Sequence, residues 1–168
     1  MSESVTLTPE ERRALDEAEG WLGLGDLKEV GPALARLPAS IAEHPEVLSV
    51  RWQFHAAQKD WEPALEIAVA LTKAAPESPF GWVHRSFCLH ELKRTQEARD
   101  NLMPVLGRFP DDPLMRYNLA CYECQLGRIE QALDWLQKAF LIGDARKLRE
   151  MALEDPDLKP LMEKIREM

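Results

Sequence analysis

The sequence predicts an all-α chain built as a solenoid of about four helix-turn-helix repeats with capping helices at both ends. Two observations carry this. Prolines recur at Pro45, Pro79 and Pro113, and alanines at Ala64, Ala98 and Ala132, each series stepping by 34 residues. Between those markers, apolar residues follow helical spacing, as in Ile129, Ala132, Leu133, Leu136, Ala139 and Phe140. A fixed 34-residue period is the mark of a repeat architecture, in which one helix pair cannot bury its own apolar face and its neighbour supplies the partner.

The elements follow in order. Thr8-Pro9-Glu10-Glu11 offers an N-cap hydroxyl, an N1 proline and an N3 glutamate, so the first helix starts there. Its repeat, 11–44, is the least regular: Val30 stands where the other repeats carry alanine, and Gly31, Pro32 and Pro38 are expected to kink or split the second helix. The repeat 45–78 has bulky Trp52 where a small residue is usual. Repeats 79–112 and 113–146 are the most regular. In the last, Leu114, Tyr117, Cys121 and Cys124 form one stripe, and Leu119, Ala120 and Tyr122 another, so this helix packs on two sides. Gly127 ends it as a helix C-cap. Residues 147–168 read as a carboxy-terminal cap: a charged helix, a break at Asp155-Pro156 and a short final helix. The whole of 1–168 is expected to be a single domain.

On Trp82, Ser86, Leu89, Ala98, Leu102 and Pro110, and again on Leu119, Ala120, Ala132, Leu136 and Ala139, the chain resembles the tetratricopeptide-repeat family. The resemblance covers about 130 of the 168 residues. It implies a right-handed superhelix whose first helices line a concave groove, and a non-enzymatic role in binding other proteins. The groove positions it implies here include Gln53, Phe80, Val83, His84, Phe87, His90, Leu114, Tyr117, Asn118, Cys121 and Gln125. Phe80, Val83, Phe87, Leu114 and Tyr117 are expected to form an apolar floor for an extended peptide or a partner helix. The chain's own carboxy-terminal helix, or a second copy, is the competing occupant. The resemblance also brings a second possibility, since small acidic members of this size resemble the bacterial type III secretion chaperones. The Lys, Arg and Asn set of a carboxylate clamp is missing, with Arg12 and Asn118 its only remote counterparts.

Charge and composition exclude other classes. The net charge is −8, which disfavours nucleic acid and anionic lipid and points to an apolar or basic protein partner. The amino terminus lacks the apolar core of a secretion signal, and no run approaches the ~18 apolar residues of a membrane span. Cys88, Cys121 and Cys124 are too few for a disulfide framework. A cytoplasmic monomer or homodimer without cofactor is expected. Cys121-x-x-Cys124 lies mid-helix and lacks the second pair of a structural zinc site, and His90-Glu-Leu-Lys-Arg94 has arginine where a metalloprotease helix needs its second histidine. A metal-dependent enzyme built on His84, His90 and the cysteines is thus a remote alternative. Trp52, Trp61 and Trp82 read as core, and Glu154, Asp155 and Asp157 as a turn with a helix N-cap.

Overall fold

A computed structural model describes residues 6–168. Ten α-helices account for most of them, with no strand among the described residues. They are α1 Pro9–Leu24, α2 Leu27–Ala35, α3 Pro45–Ala57, α4 Trp61–Ala74, α5 Pro79–Glu91, α6 Thr95–Leu102, α7 Pro113–Gln125, α8 Ile129–Ile142, α9 Ala145–Glu154 and α10 Met162–Glu167. Short 3₁₀ segments occupy Ala39–Ile41, Met103–Arg108 and Pro156–Leu161. The helices group into two compact units, residues 1–81 and 82–168, with α5 running across the division. The part of the leader reading that concerns residues 1–5 lies outside the described residues.

The prolines that mark the period start helices. Pro45 and Pro113 stand at the first position of α3 and α7, where a missing N–H costs nothing. Asp112 caps α7 by accepting from the Met115 N–H at 3.0 Å. At the amino terminus, Thr8 Oγ1 accepts from the Glu11 N–H at 3.3 Å, and Glu11 Oε2 accepts from the Thr8 N–H at 2.7 Å. This is the reciprocal capping box the sequence predicts.

The periodic alanines are the contact points. Ala64, Ala98 and Ala132 are all fully buried, as are Ala18, Ser86 and Ala120 on the first helices of their pairs. Small side chains there let two helix backbones approach closely enough for their larger neighbours to interlock. In unit 1, Leu15, Ala18, Val30, Ala33, Leu34, Leu37, Ile41, Val47 and Val50 form one core, with Trp21 and Phe54 packed on its edge. Gly81 serves a related purpose. A Cβ there would lie 2.9 Å from the Thr72 backbone N and 3.0 Å from Leu71, so the start of α5 lies against the end of α4 only because the side chain is missing.

Two second helices depart from the expected length. Pro32 lies inside α2 without breaking it; the helix ends at Ala35 and a 3₁₀ turn follows Pro38. Pro38, and not Gly31 or Pro32, therefore marks the discontinuity. Pro104 does the same to α6, which stops at Leu102 and continues as 3₁₀ helix to Arg108. The sequence reading passed over Pro104.

A turn recurs at the end of each first helix. Gly25, Lys59, Lys93 and Gly127 stand 34 residues apart and all have positive φ, at 74°, 57°, 64° and 77°. In every case the following N–H reaches back five residues along the chain: Asp26 to the Trp21 carbonyl, Asp60 to His55, Arg94 to Leu89 and Arg128 to Glu123, at 2.8–3.0 Å. This is the Schellman closure, and it satisfies carbonyls that a helix end otherwise leaves unpaired. Glycine adopts the left-handed conformation freely, whereas a lysine Cβ is strained in it.

Unit 2 also buries a carboxylate. Glu123 is 1% exposed and accepts from Arg99 Nε at 2.6 Å and from Arg128 Nη1 at 3.1 Å. These bonds join α6, α7 and the start of α8. A buried carboxylate is tolerable only with such partners.

Two stability outcomes follow from the turns and the buried acid. Gly127→Ala should lower stability by about 1 kcal/mol in urea denaturation, while Lys93→Gly should leave it unchanged or slightly higher. A loss of that size at Lys93→Gly would mean that the turn relies on the lysine side chain. Glu123→Gln should cost about 2–3 kcal/mol, less than for a fully buried pair because Arg99 and Arg128 are 28% and 40% exposed. A change below about 0.5 kcal/mol would show that the two arginines do not depend on the carboxylate.

Candidate functional site

The expected groove positions fall on α3, α5 and α7, and they divide by exposure. In unit 1, Gln53 is exposed, while the half-buried Phe80 meets Trp52 edge-on, with ring centroids 5.7 Å apart and planes at 87°. Trp52 is 7% exposed, so the unusual bulk at that position is absorbed by an aromatic pair. In unit 2, His84, Phe87 and Asn118 are half-buried and Leu114 is 44% exposed. Val83, His90, Tyr117 and Cys121 are buried, at 4–6% exposure.

Unit 2 shows what covers much of that second group. Tyr117, Cys121 and Gln125 stand four residues apart, so one face of α7 presents all three. Tyr117 donates its hydroxyl to Asp155 Oδ2 at 2.8 Å, and the Cys121 thiol donates to the same oxygen at 3.6 Å. Gln125 donates to the backbone carbonyl of Asp157 at 2.8 Å. From the end of α5, His90 Nε2 bonds Asp157 Oδ2 at 2.8 Å, and its Nδ1 bonds Thr95 Oγ1 at 2.9 Å. The two ring nitrogens of His90 thus bridge Thr95 and Asp157. Below the two aspartates, Leu158, Leu161 and Ile165 are fully buried.

At the groove positions His90, Tyr117, Cys121 and Gln125, of which Tyr117 alone belongs to the expected apolar floor, the occupant is the chain's own carboxy-terminal segment, the competing alternative named from the sequence. The reason is both apolar and polar. An exposed end of a helix stack must be shielded from water, and here the shield carries carboxylates that match donors on the helices beneath. The sequence did mark Asp155 and Asp157 as a turn with an N-cap, and Asp155 does accept from the Asp157 N–H at 2.9 Å. Missed was the second use of the same carboxylates across the fold. The spacing Tyr-x₃-Cys-x₃-Gln on one helix face, with an acidic turn later in the chain, was the available signal.

Neutral donors suit this arrangement. Burial, before any other cause, pushes the Tyr117 phenol and the Cys121 thiol well above their ordinary ranges, and the nearby Asp155 adds to both. Burial does the same to Tyr122, whose hydroxyl lies 3.0 Å from Ser86 Oγ and whose ring is 5.1 Å from that of His90. Among the described residues no three of His, Cys, Asp and Glu come together as metal ligands, and Cys88, Cys121 and Cys124 are buried thiols outside any disulfide. In unit 1, Arg12 is engaged by Glu46, at 2.5 and 2.9 Å through both nitrogens. Among the described residues, no helix is long and apolar enough to cross a membrane.

Tyr117 and Tyr122 are the chain's only tyrosines, which permits a direct pH test. Both phenols have folded pKa values above the unfolded value of about 10. The stability they contribute is complete below that pH and is lost as pH rises beyond it. Absorbance at 295 nm should therefore show no tyrosinate in the folded chain as pH passes about 10, and both should ionise together as alkali unfolds it. An ordinary titration centred near 10, with helicity retained, would contradict the burial of these rings.

No family model and no curated protein sequence matches the chain. Solved structures do. The structure of MamA from Desulfovibrio magneticus RS-1, residue 41 to the end, shares 19% identity, covers 96% of each chain and has a TM-score of 0.71. MamA MSR-1 shares 23% identity over 82% of this chain and 78% of that one, at a TM-score of 0.67. MamA AMB-1 shares 22% over 77% and 76%, at 0.63. MamA is a tetratricopeptide-repeat protein. With the 34-residue period, the helix pairs and this likeness in hand, the chain is a helical solenoid with the tetratricopeptide-repeat fold.

Proposed function

We propose that this protein is a non-enzymatic interaction module that binds an extended peptide or a partner helix through the first helices of its repeats. The observation that carries the reading is in unit 2. Leu114 is 44% exposed on a helix whose next residue, Met115, is fully buried, and Phe87 keeps part of its surface on α5. His84 and Asn118 are half-buried at corresponding places one repeat apart and provide polar groups beside those apolar ones. Apolar anchors with a few hydrogen-bonding neighbours are what a peptide-binding face requires. Gln53 and Phe80 belong to unit 1 and are a separate part of the reading.

Charge refines the partner. Residues 1–81 hold seven Lys and Arg against fourteen Asp and Glu, whereas residues 82–168 hold fourteen against fifteen. Nearly all of the net negative charge thus belongs to unit 1. A basic segment gains its attraction there, and an apolar segment suits the Phe87 and Leu114 face. A cytoplasmic setting belongs to the same reading. The fold's rigidity contributes by ordering the receptor before the ligand arrives.

A peptide library displayed on phage tests the proposal without a known partner. Peptides enriched by the wild-type chain should bind Phe87→Ala about tenfold more weakly, roughly 1.4 kcal/mol, with the melting temperature little changed. The reading fails if nothing is enriched above background, or if the enriched peptides bind wild type and Phe87→Ala alike.

A further inference from the structure

The carboxy-terminal segment is bound in the manner of a ligand. Covering an apolar helix face needs only apolar groups, and Leu158, Leu161 and Ile165 are fully buried there. Yet four side chains from two helices also converge on two acidic residues that lie one proline apart. The Tyr117 hydroxyl and Cys121 thiol donate to the Asp155 carboxylate, His90 bonds the Asp157 carboxylate, and Gln125 donates to the Asp157 carbonyl. Three of these donors share one face of α7, and all four occupy positions at which this fold is expected to hold a foreign segment. The contacts read both side-chain charge and backbone, which is how a groove selects an extended peptide and sets its register.

The segment is also placed so that it can leave. It follows the end of α9 at Glu154 and contains Pro156 and Pro160, which keep much of it out of regular α-helix. Asp157 retains 30% side-chain exposure, so water and competing groups reach its carboxylate.

We propose that the faces of α5 and α7 in unit 2 form a receptor for an acidic-Pro-acidic-Leu segment, with Asp155-Pro156-Asp157-Leu158 as its resident ligand. An external protein segment of the same chemistry competes for this site when the resident one is weakened. The proposal deepens the interaction-module reading, because it names the chemistry of one ligand. A tethered ligand acts at an effective concentration in the millimolar range, so the intact chain strongly resists a free peptide. Weakening the tether's charged contacts shifts that competition outward.

The test adds a fluorescent peptide covering residues 153–162 to full-length wild type and to the full-length double variant Asp155→Ala, Asp157→Ala. The double variant should bind the peptide at least tenfold more tightly than wild type. A peptide with both aspartates changed to asparagine should bind the variant at least tenfold more weakly than the parent peptide. Equal binding to both proteins, or equal binding of both peptides, overturns the proposal. So does a concentration-dependent dimer of the variant that excludes the peptide, which would assign the site to a second copy's tail. Hydrogen exchange on the unaltered chain guards against a variant that fails to fold. Amides of 158–167 should exchange at least tenfold faster than those of α7, and equal protection would make the segment a fixed part of the core. Failure of any of these leaves the Phe87→Ala comparison standing, since that experiment uses different side chains and a different ligand.

Discussion

A helix pair has two apolar faces and can bury only one of them by itself. Everything in this protein follows from that constraint. It demands neighbours of equal length, and equal length demands that each first helix end in the same way. The left-handed residues at 25, 59, 93 and 127 are that common ending, and the fully buried alanines at 64, 98 and 132 are the points where the returning helix is received. Changing the turn would alter the angle of return, and the small side chain would no longer face its partner. The period is thus a packing requirement expressed along the chain. That two of the four turns use lysine shows the tolerance of the device: the backbone bond is kept in all four, while its conformational strain is minimised in only two.

The features that repeat were legible in the sequence, and those that occur once were not. Proline at the first helical position and alanine at the contact recur, so they stand out from the background without any knowledge of the fold. The capping box at Thr8 was readable for a different reason, because all of its contacts lie within four residues. Pro104 belongs to neither class. It interrupts one second helix only, and a helix that continues as 3₁₀ keeps its direction, so the apolar pattern gives little warning. Glu123 is harder still. Its partners Arg99 and Arg128 come from elements before and after it, and a glutamate in a helix ordinarily reads as surface. Gly31 and Pro32 erred in the opposite sense, since residues that disfavour a helix were held in one by the core around Val30, Ala33 and Leu34.

The groove positions show how far a positional reading reaches. It placed Tyr117, Cys121 and Gln125 on one face of one helix, which is a local fact set by helical geometry. It named the carboxy-terminal helix as one competing occupant of that face but had no means of choosing it, because the covering residues lie far along the chain and meet the face through contacts that no local pattern announces. Asp155 and Asp157 looked like a turn and are one. A carboxylate has more than one lone pair, however, and a single group can cap its own turn while accepting from a distant hydroxyl. Sequence reasoning assigns such a residue its nearest use and stops there.

Covering an end and binding a partner are the same physical act performed on the same kind of surface. An open stack leaves an apolar face at its end, and whatever covers that face must have apolar groups in the right places and polar groups that satisfy the rim. Residues 155–165 meet both conditions in unit 2, with three buried aliphatic side chains below and two hydrogen-bonded aspartates above. A foreign segment would have to meet them too. The difference between a cap and a ligand is then only the tether, which raises local concentration without adding a contact. Aliphatic burial is proportional to area and indifferent to direction, so the leucines alone would allow the segment to slide or reverse. The carboxylates restrict that freedom, because each is matched to particular donors, Asp155 to Tyr117 and Cys121 on α7 and Asp157 to His90 on α5. Selectivity in unit 2 therefore resides in the two acidic groups, and adhesion in the aliphatic ones.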